Sequence, residues 1–69
     1  LYQVKVGDLI CSKRYKPTGI FDLGVVTHFE ESKIKDGWIW IYVYVVDWGE
    51  TQRYNLNSVK QHFDLLARA

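Results

Sequence analysis

The sequence predicts an all-β domain, a small antiparallel barrel of about five strands, and three observations carry that prediction. The first is the stretch Trp38-Ile39-Trp40-Ile41-Tyr42-Val43-Tyr44-Val45, with β-branched aliphatics at the odd positions and aromatics at the even ones. Successive side chains of a strand point to opposite faces, so this segment carries two apolar faces of different chemistry; a helix would scatter both sets around its surface. The second is the run of turn signals, Gly7-Asp8, Asp36-Gly37 and Asp47-Trp48-Gly49, that separate short stretches of strand-forming residues. The third is the length of the aromatic stretch. It exceeds the usual five or six residues of a strand, which predicts that it bends and serves two sheets or most of a small barrel.

At 69 residues the chain is one domain, residues 1–69, of a size at which a single small core is only marginally stabilising. A hydrophobic fraction of 48% and eleven aromatics exclude a disordered chain. No apolar run reaches membrane-spanning length, and no secretory pattern is visible. The chain is therefore expected to be soluble and intracellular, or incorporated in a virion. Cys11 is the single cysteine, so no intrachain disulfide can staple the fold. One Cys with His28 and His62 falls short of a zinc site, and neither metal nor cofactor is expected. Nine Lys and Arg against eight Asp and Glu give a formal charge of +1, so a nucleic-acid partner would depend on clustering of the basic residues on one face.

Taken in order, Gly7-Asp8 is a turn before a first strand at about Asp8 to Lys13. Ser12 to Asp22 holds the only proline and reads as a long loop or irregular hairpin. Leu23 to Phe29 is a second strand, in which Gly24 marks a bulge or a close backbone approach. Glu30 to Gly37 is a charged turn, and the tight-turn dipeptide at its end makes the second and third strands an antiparallel pair. After the third strand the Asp47-Trp48-Gly49-Glu50 turn leads into a short fourth strand at Thr51 to Tyr54, completing a meander. The last segment has two readings. In one, Val59, Phe63 and Leu66 mark a short C-terminal helix capped by Asn57 or Ser58. In the other, a helical turn at Leu56 to Val59 precedes a fifth strand through Lys60 to Phe63.

With the strands placed, Val6-Gly7-Asp8-Leu9-Ile10, Gly24-Val25-Val26, Tyr44-Val45-Val46-Asp47-Trp48-Gly49-Glu50-Thr51 and Leu56-Asn57-Ser58-Val59-Lys60 resemble the landmarks of Tudor-like SH3-like barrels. Such domains enter their first strand through a V-G-D-L motif and follow their third with a D-aromatic-G turn. Small phage-encoded proteins of the same barrel type also look like this, with an aromatic-rich third strand. The resemblance implies a small SH3-like antiparallel barrel of about five strands. A Tudor-like reader of methylated peptides would use an aromatic cage of Trp48, Tyr44 or Tyr42, and Phe21 or Tyr15, because aromatic faces attract a desolvated methylammonium. The chain departs from that pattern at Glu50, where methylarginine readers commonly carry Asn.

The expected core is Leu9, Cys11, Val25 or Val26, Ile39, Ile41, Val43, Val45 and Val59, since a small barrel is better filled by aliphatics than by four large rings. Trp38, Trp40, Tyr42 and Tyr44 then face outward as an apolar patch, and such patches mark interaction sites. The competing reading has Val59, Phe63 and Leu66 of a terminal helix cover them. Lys13, Arg14, Tyr15 and Lys16 form the only basic cluster, and with Arg53 they are the candidate nucleic-acid contacts. Cys11 and His28 lack the partners of a nucleophile or base, while Asp8, Asp36 and Asp47 read as turn-ordering residues. No carboxylate pair, phosphate-cradling glycine loop or nucleophile triad is present, so no enzymatic activity is expected. The function expected is a non-catalytic interaction module, a structural component of a larger assembly such as a virion or a multi-protein complex, with a protein partner or self-association through the aromatic face.

Overall fold

A computed structural model describes residues 4–12 and 23–69. The described chain is all-β with one short helix: β1 (Leu9–Ser12), β2 (Leu23–Glu31), β3 (Ile39–Val45), β4 (Glu50–Asn55), α1 (Leu56–His62) and β5 (Phe63–Ala67). The strands form one antiparallel sheet in the order β4-β3-β2-β1-β5. The meander predicted for the second to fourth strands is there. Both readings of the last segment are partly realised, since a helix of seven residues forms and is followed by a fifth strand. Ser12, read as the start of the loop between the first two strands, is the last residue of β1, while the rest of that loop, from Lys13 at the end of the predicted first strand through residue 22, lies outside the described residues.

The odd residues of β3 face inward. Ile41, Val43 and Val45 are fully buried and join Ile10, Val26, Val59 and Phe63 in one core cluster. β3 and β5 stand three places apart in the sheet, so the sheet must curl for Ile41 and Phe63 to share that cluster. The curl stops short of a closed barrel, because β4 and β5 are edges with no ladder between them. The reason is α1. It packs against β3, β4 and β5, its Val59 is buried in the core, and a helix of about 10 Å diameter holds the two edges apart.

Two expectations about strand faces change. In β1 the inward residue is Ile10, while Leu9 and Cys11 are only half-buried. Leu9 pairs with Val25 and Cys11 with Leu23 on the outer side, whereas Ile10 lies opposite the buried Gly24. Ile39 is likewise half-buried, at the end of β3 away from the core centre. A bulge does form in β2, not at Gly24 but further along the strand, and a second register shift separates Leu9 from Ile10 against β5. Val26 pairs with Val43 and His28 with Tyr42, which leaves Thr27 as an extra residue. The Thr27 hydroxyl donates to the Tyr42 carbonyl at 3.1 Å. A straight strand cannot turn both Val26 and Phe29 to one face, because they are three residues apart. The bulge shifts the parity, so that Val26 and Phe29 both meet the core and His28 and Glu30 both face outward.

The helix starts at Leu56, as the second reading of this segment has it, and its cap differs from the one the first reading expects. Asn55, not Asn57 or Ser58, is the N-cap, and its Oδ1 accepts from the Asn57 amide at 2.9 Å and the Ser58 amide at 3.3 Å. β4 therefore runs straight into α1 with no linker. Replacing Asn55 by Ala is expected to cost about 1 kcal/mol, the usual value of a lost cap, read as a lower urea midpoint at constant slope.

Asp8 ties the two ends of the described chain. Its side chain is buried, and it accepts from the Lys5 amide at 2.7 Å and from the Ala69 amide at 3.0 Å. These two bonds, the Ala69 one foremost, hold its carboxyl below the usual carboxylate range. A carboxylate depressed in the folded state contributes stability that is present above its unfolded pKa and is lost as pH falls through its folded one. Once the pH falls below the ordinary Asp range, protonation of Asp8 should therefore release Ala69, seen as a change in its amide resonance that an Asp8→Asn variant does not show.

Candidate functional site

The outer face of the sheet is built by the even positions of β3 and their neighbours across the ladders. Tyr44 is flanked by Val25 and Thr51, Tyr42 by His28 and Arg53, and Trp40 by Glu30 and Asn55. Trp38 precedes β3 and meets Trp40 edge-to-face, with ring centroids 5.7 Å apart. The structure thus places Trp38, Trp40, Tyr42 and Tyr44 in one continuous row, on the side of the sheet opposite Ile41, Val43 and Val45. The cover expected from a terminal helix is absent, because Val59 and Phe63 belong to the core cluster on the other side.

The row is not bare. Only Tyr44 is exposed, at 41%, while Trp38, Trp40 and Tyr42 are half-buried. Polar and cationic side chains explain the difference. The Arg53 guanidinium lies 4.2 Å above the Trp40 ring and the Lys35 ammonium 4.3 Å above Trp38. His28 stacks on Tyr42 at 4.0 Å with planes 10° apart, and the Tyr42 hydroxyl donates to Glu30 Oε1 at 2.8 Å. The first three of these contacts keep an electron-rich ring face against a cation or a second ring, and the last ties the polar end of Tyr42 to a neighbouring carboxylate.

The turn between β2 and β3 adds residues that the sequence reading passed over. Ser32 organises it: its Oγ accepts from the Ile34 and Lys35 amides at 3.2 and 3.3 Å, and its amide donates to the Trp38 carbonyl at 2.9 Å. The Trp38 amide in turn donates to the Lys35 carbonyl at 3.2 Å. This closed turn points Lys35 back over Trp38 and leaves Ile34 98% exposed. The available signal was a lone aliphatic residue in the charged run from Glu30 to Asp36. A pocket of about 300 Å³ opens here between the turn and the two tryptophans, with Arg53 on its far wall.

No protein family, curated protein or solved structure matches this chain. The surface itself must carry the functional reading.

Of the cage residues, Phe21 and Tyr15 lie outside the described residues. Tyr44 and Trp48 are both exposed, at 41% and 45%, and the Tyr44 hydroxyl lies 3.9 Å from where a side chain on Gly49 would begin. The observed cations stand elsewhere, over Trp38 and Trp40. Lys13, Arg14 and Lys16 also lie outside the described residues, and Arg53 lies over the Trp40 ring. The Asp47 carboxylate accepts from the Leu23 amide at 3.2 Å and so ties its turn to the start of β2, while the turn itself is closed by the Trp48 and Gly49 amides donating to the Val45 carbonyl. Among the described residues no group of three or more His, Cys, Asp and Glu could hold a metal ion, and no helix is long and apolar enough to cross a membrane.

Proposed function

We propose that this chain is a non-catalytic interaction module of the SH3-like barrel type, a structural component of a larger assembly such as a virion or a multi-protein complex, and that Trp38, Trp40, Tyr42 and Tyr44 form its contact surface. The observation that supports this reading is the completeness of the core without them. Ile41, Val43 and Val45 already supply β3's share of the buried cluster, and strand propensity at the outer positions would be met by Thr or Val. Four large aromatics in one row are more than the fold requires, and aromatic anchors dominate interface energetics when a partner desolvates them.

Binding of nucleic acid through Lys13, Arg14, Lys16 and Arg53 is the rival, and salt separates the two. Phosphate contacts release counterions and weaken steeply with ionic strength. A mobility-shift assay at low salt is expected to show no tight complex with a short oligonucleotide. Tight, salt-sensitive binding that a Lys13/Arg14/Lys16→Ala variant loses would replace the proposal with the nucleic-acid reading. A methylated-peptide reader would instead concentrate its response at Trp48 and Tyr44.

A further inference from the structure

The pocket beside Trp38 and Trp40 is built differently from the rest of the surface. Its walls are mostly apolar, and among the described residues the only charged ones that line it are Lys35 and Arg53. Both cationic heads lie over indole rings, and among the described residues neither has a hydrogen-bonding or ion-pairing partner. A guanidinium stacked on a ring presents its N–H edges sideways, in the fork that matches a carboxylate. Ring contact also strips water from one side of each cation, so an anion brought there meets a partly desolvated donor. At the rim stands Ile34, fully exposed on a turn that Ser32 holds closed, so little ordering is needed when an apolar group packs on it.

We infer that this pocket receives an acidic peptide segment of a partner protein, in which a carboxylate pairs with Arg53 and Lys35 and an adjacent large apolar side chain packs on Ile34 and the indole rings. The inference rests on the interaction-module reading and names the partner's chemistry. A nucleic-acid strand fits less well. The adjoining space of about 270 Å³ shares Ile34, Trp40 and Arg53 with the pocket and is lined as well by Glu30, Glu31 and Lys33, and those acids, which disfavour any anion beside them, oppose a continuous row of phosphates more than one carboxylate. A single carboxylate needs only the two cations.

The test uses the indole N–H resonances of the three tryptophans, titrated with acetyl-Asp-Leu-Phe-amide. Two companions isolate its parts: acetyl-Asn-Leu-Phe-amide removes the charge, and acetyl-Asp-Ala-Ala-amide removes the apolar anchor. The acidic peptide should shift the Trp38 and Trp40 signals and leave Trp48 in place. Each companion should bind at least about ten-fold more weakly, the scale of one lost charge-assisted or apolar contact. Arg53→Gln and Lys35→Gln should show the same loss for the acidic peptide, and Lys60→Gln, on the helix, should bind as the parent does. Equal binding of the neutral peptide, a response at Trp48 instead, or tighter binding of decathymidylate would overturn the inference. So would silence with all three peptides at millimolar concentration. If that silence accompanies self-association that shields Trp38 and Trp40, the acidic partner is wrong while the contact surface stands. If it accompanies a strict monomer with both tryptophans shielded, the contact surface is wrong as well.

Discussion

Replacing Ile41 by Ala is expected to cost about 2–5 kcal/mol, the range for deleting a fully buried aliphatic side chain. Ile41 has no exposed surface, and its strand neighbours Phe29 and Tyr54 wall the space it would vacate. The cavity therefore cannot collapse without moving both flanking strands. A domain of this length has a total stability of roughly 3–10 kcal/mol, so the substitution leaves a marginal fold or none. Urea unfolding followed by far-ultraviolet circular dichroism gives the value directly. An Ile41→Asp variant sharpens the point, because an unpaired buried carboxylate should abolish folding. A soluble Ile41→Asp protein with an unchanged spectrum would mean that the two faces of β3 have been assigned in reverse.

The second large effect is expected at Gly7. Its φ of +92° is a conformation that residues with side chains rarely adopt, and an added Cβ would stand 2.8 Å from the Ala69 Cβ. Gly7 also donates to the Val26 carbonyl at 2.7 Å, so it cannot move away without breaking the link from the entry turn to β2. Gly37 is the internal control. Its φ is +76°, but an added Cβ there meets nothing within 4 Å. Both Ala substitutions carry backbone strain of about 1–2 kcal/mol. Gly7→Ala should be the more destabilising by about 1–3 kcal/mol, the scale of forced overpacking. Equal losses would show that the Gly7 turn does not pack against Ala69.

Much of this fold can be read from the residues, and the places where the reading fails share a cause. The alternation in β3 has a phase: aliphatic and aromatic positions are chemically distinct, so the inward set could be chosen on volume. Leu9-Ile10-Cys11 has no phase, because three apolar residues in succession fit either face. The choice falls to tertiary partners, Gly24 across the ladder and the buried Asp8 two residues before Ile10. The β2 bulge was legible in principle from the odd spacing of Val26 and Phe29, whereas Gly24 was the more conspicuous but wrong signal for it. The Asp8 to Ala69 bond spans 61 residues, and no local pattern encodes it. For the surface, sequence alternation was enough to align the four aromatics. It was not enough to show that Arg53 and Lys35 would lie on two of them, since one comes from a neighbouring strand and the other from a turn whose shape depends on Ser32.

If the aromatic row on β3 is the contact surface, it must be open to solvent in the monomer, and tryptophan quenching by acrylamide combined with sedimentation of the isolated chain shows whether it is. A Trp48→Phe variant confines the signal to Trp38 and Trp40. Acrylamide should reach both in the monomer, less readily than it reaches Trp48 in the parent, because the two rings are half-buried under Lys35 and Arg53. Any assembled species should shield them. A strict monomer in which both Trp38 and Trp40 resist quenching would contradict the contact-surface reading, because the chain's own residues would then already occupy the face.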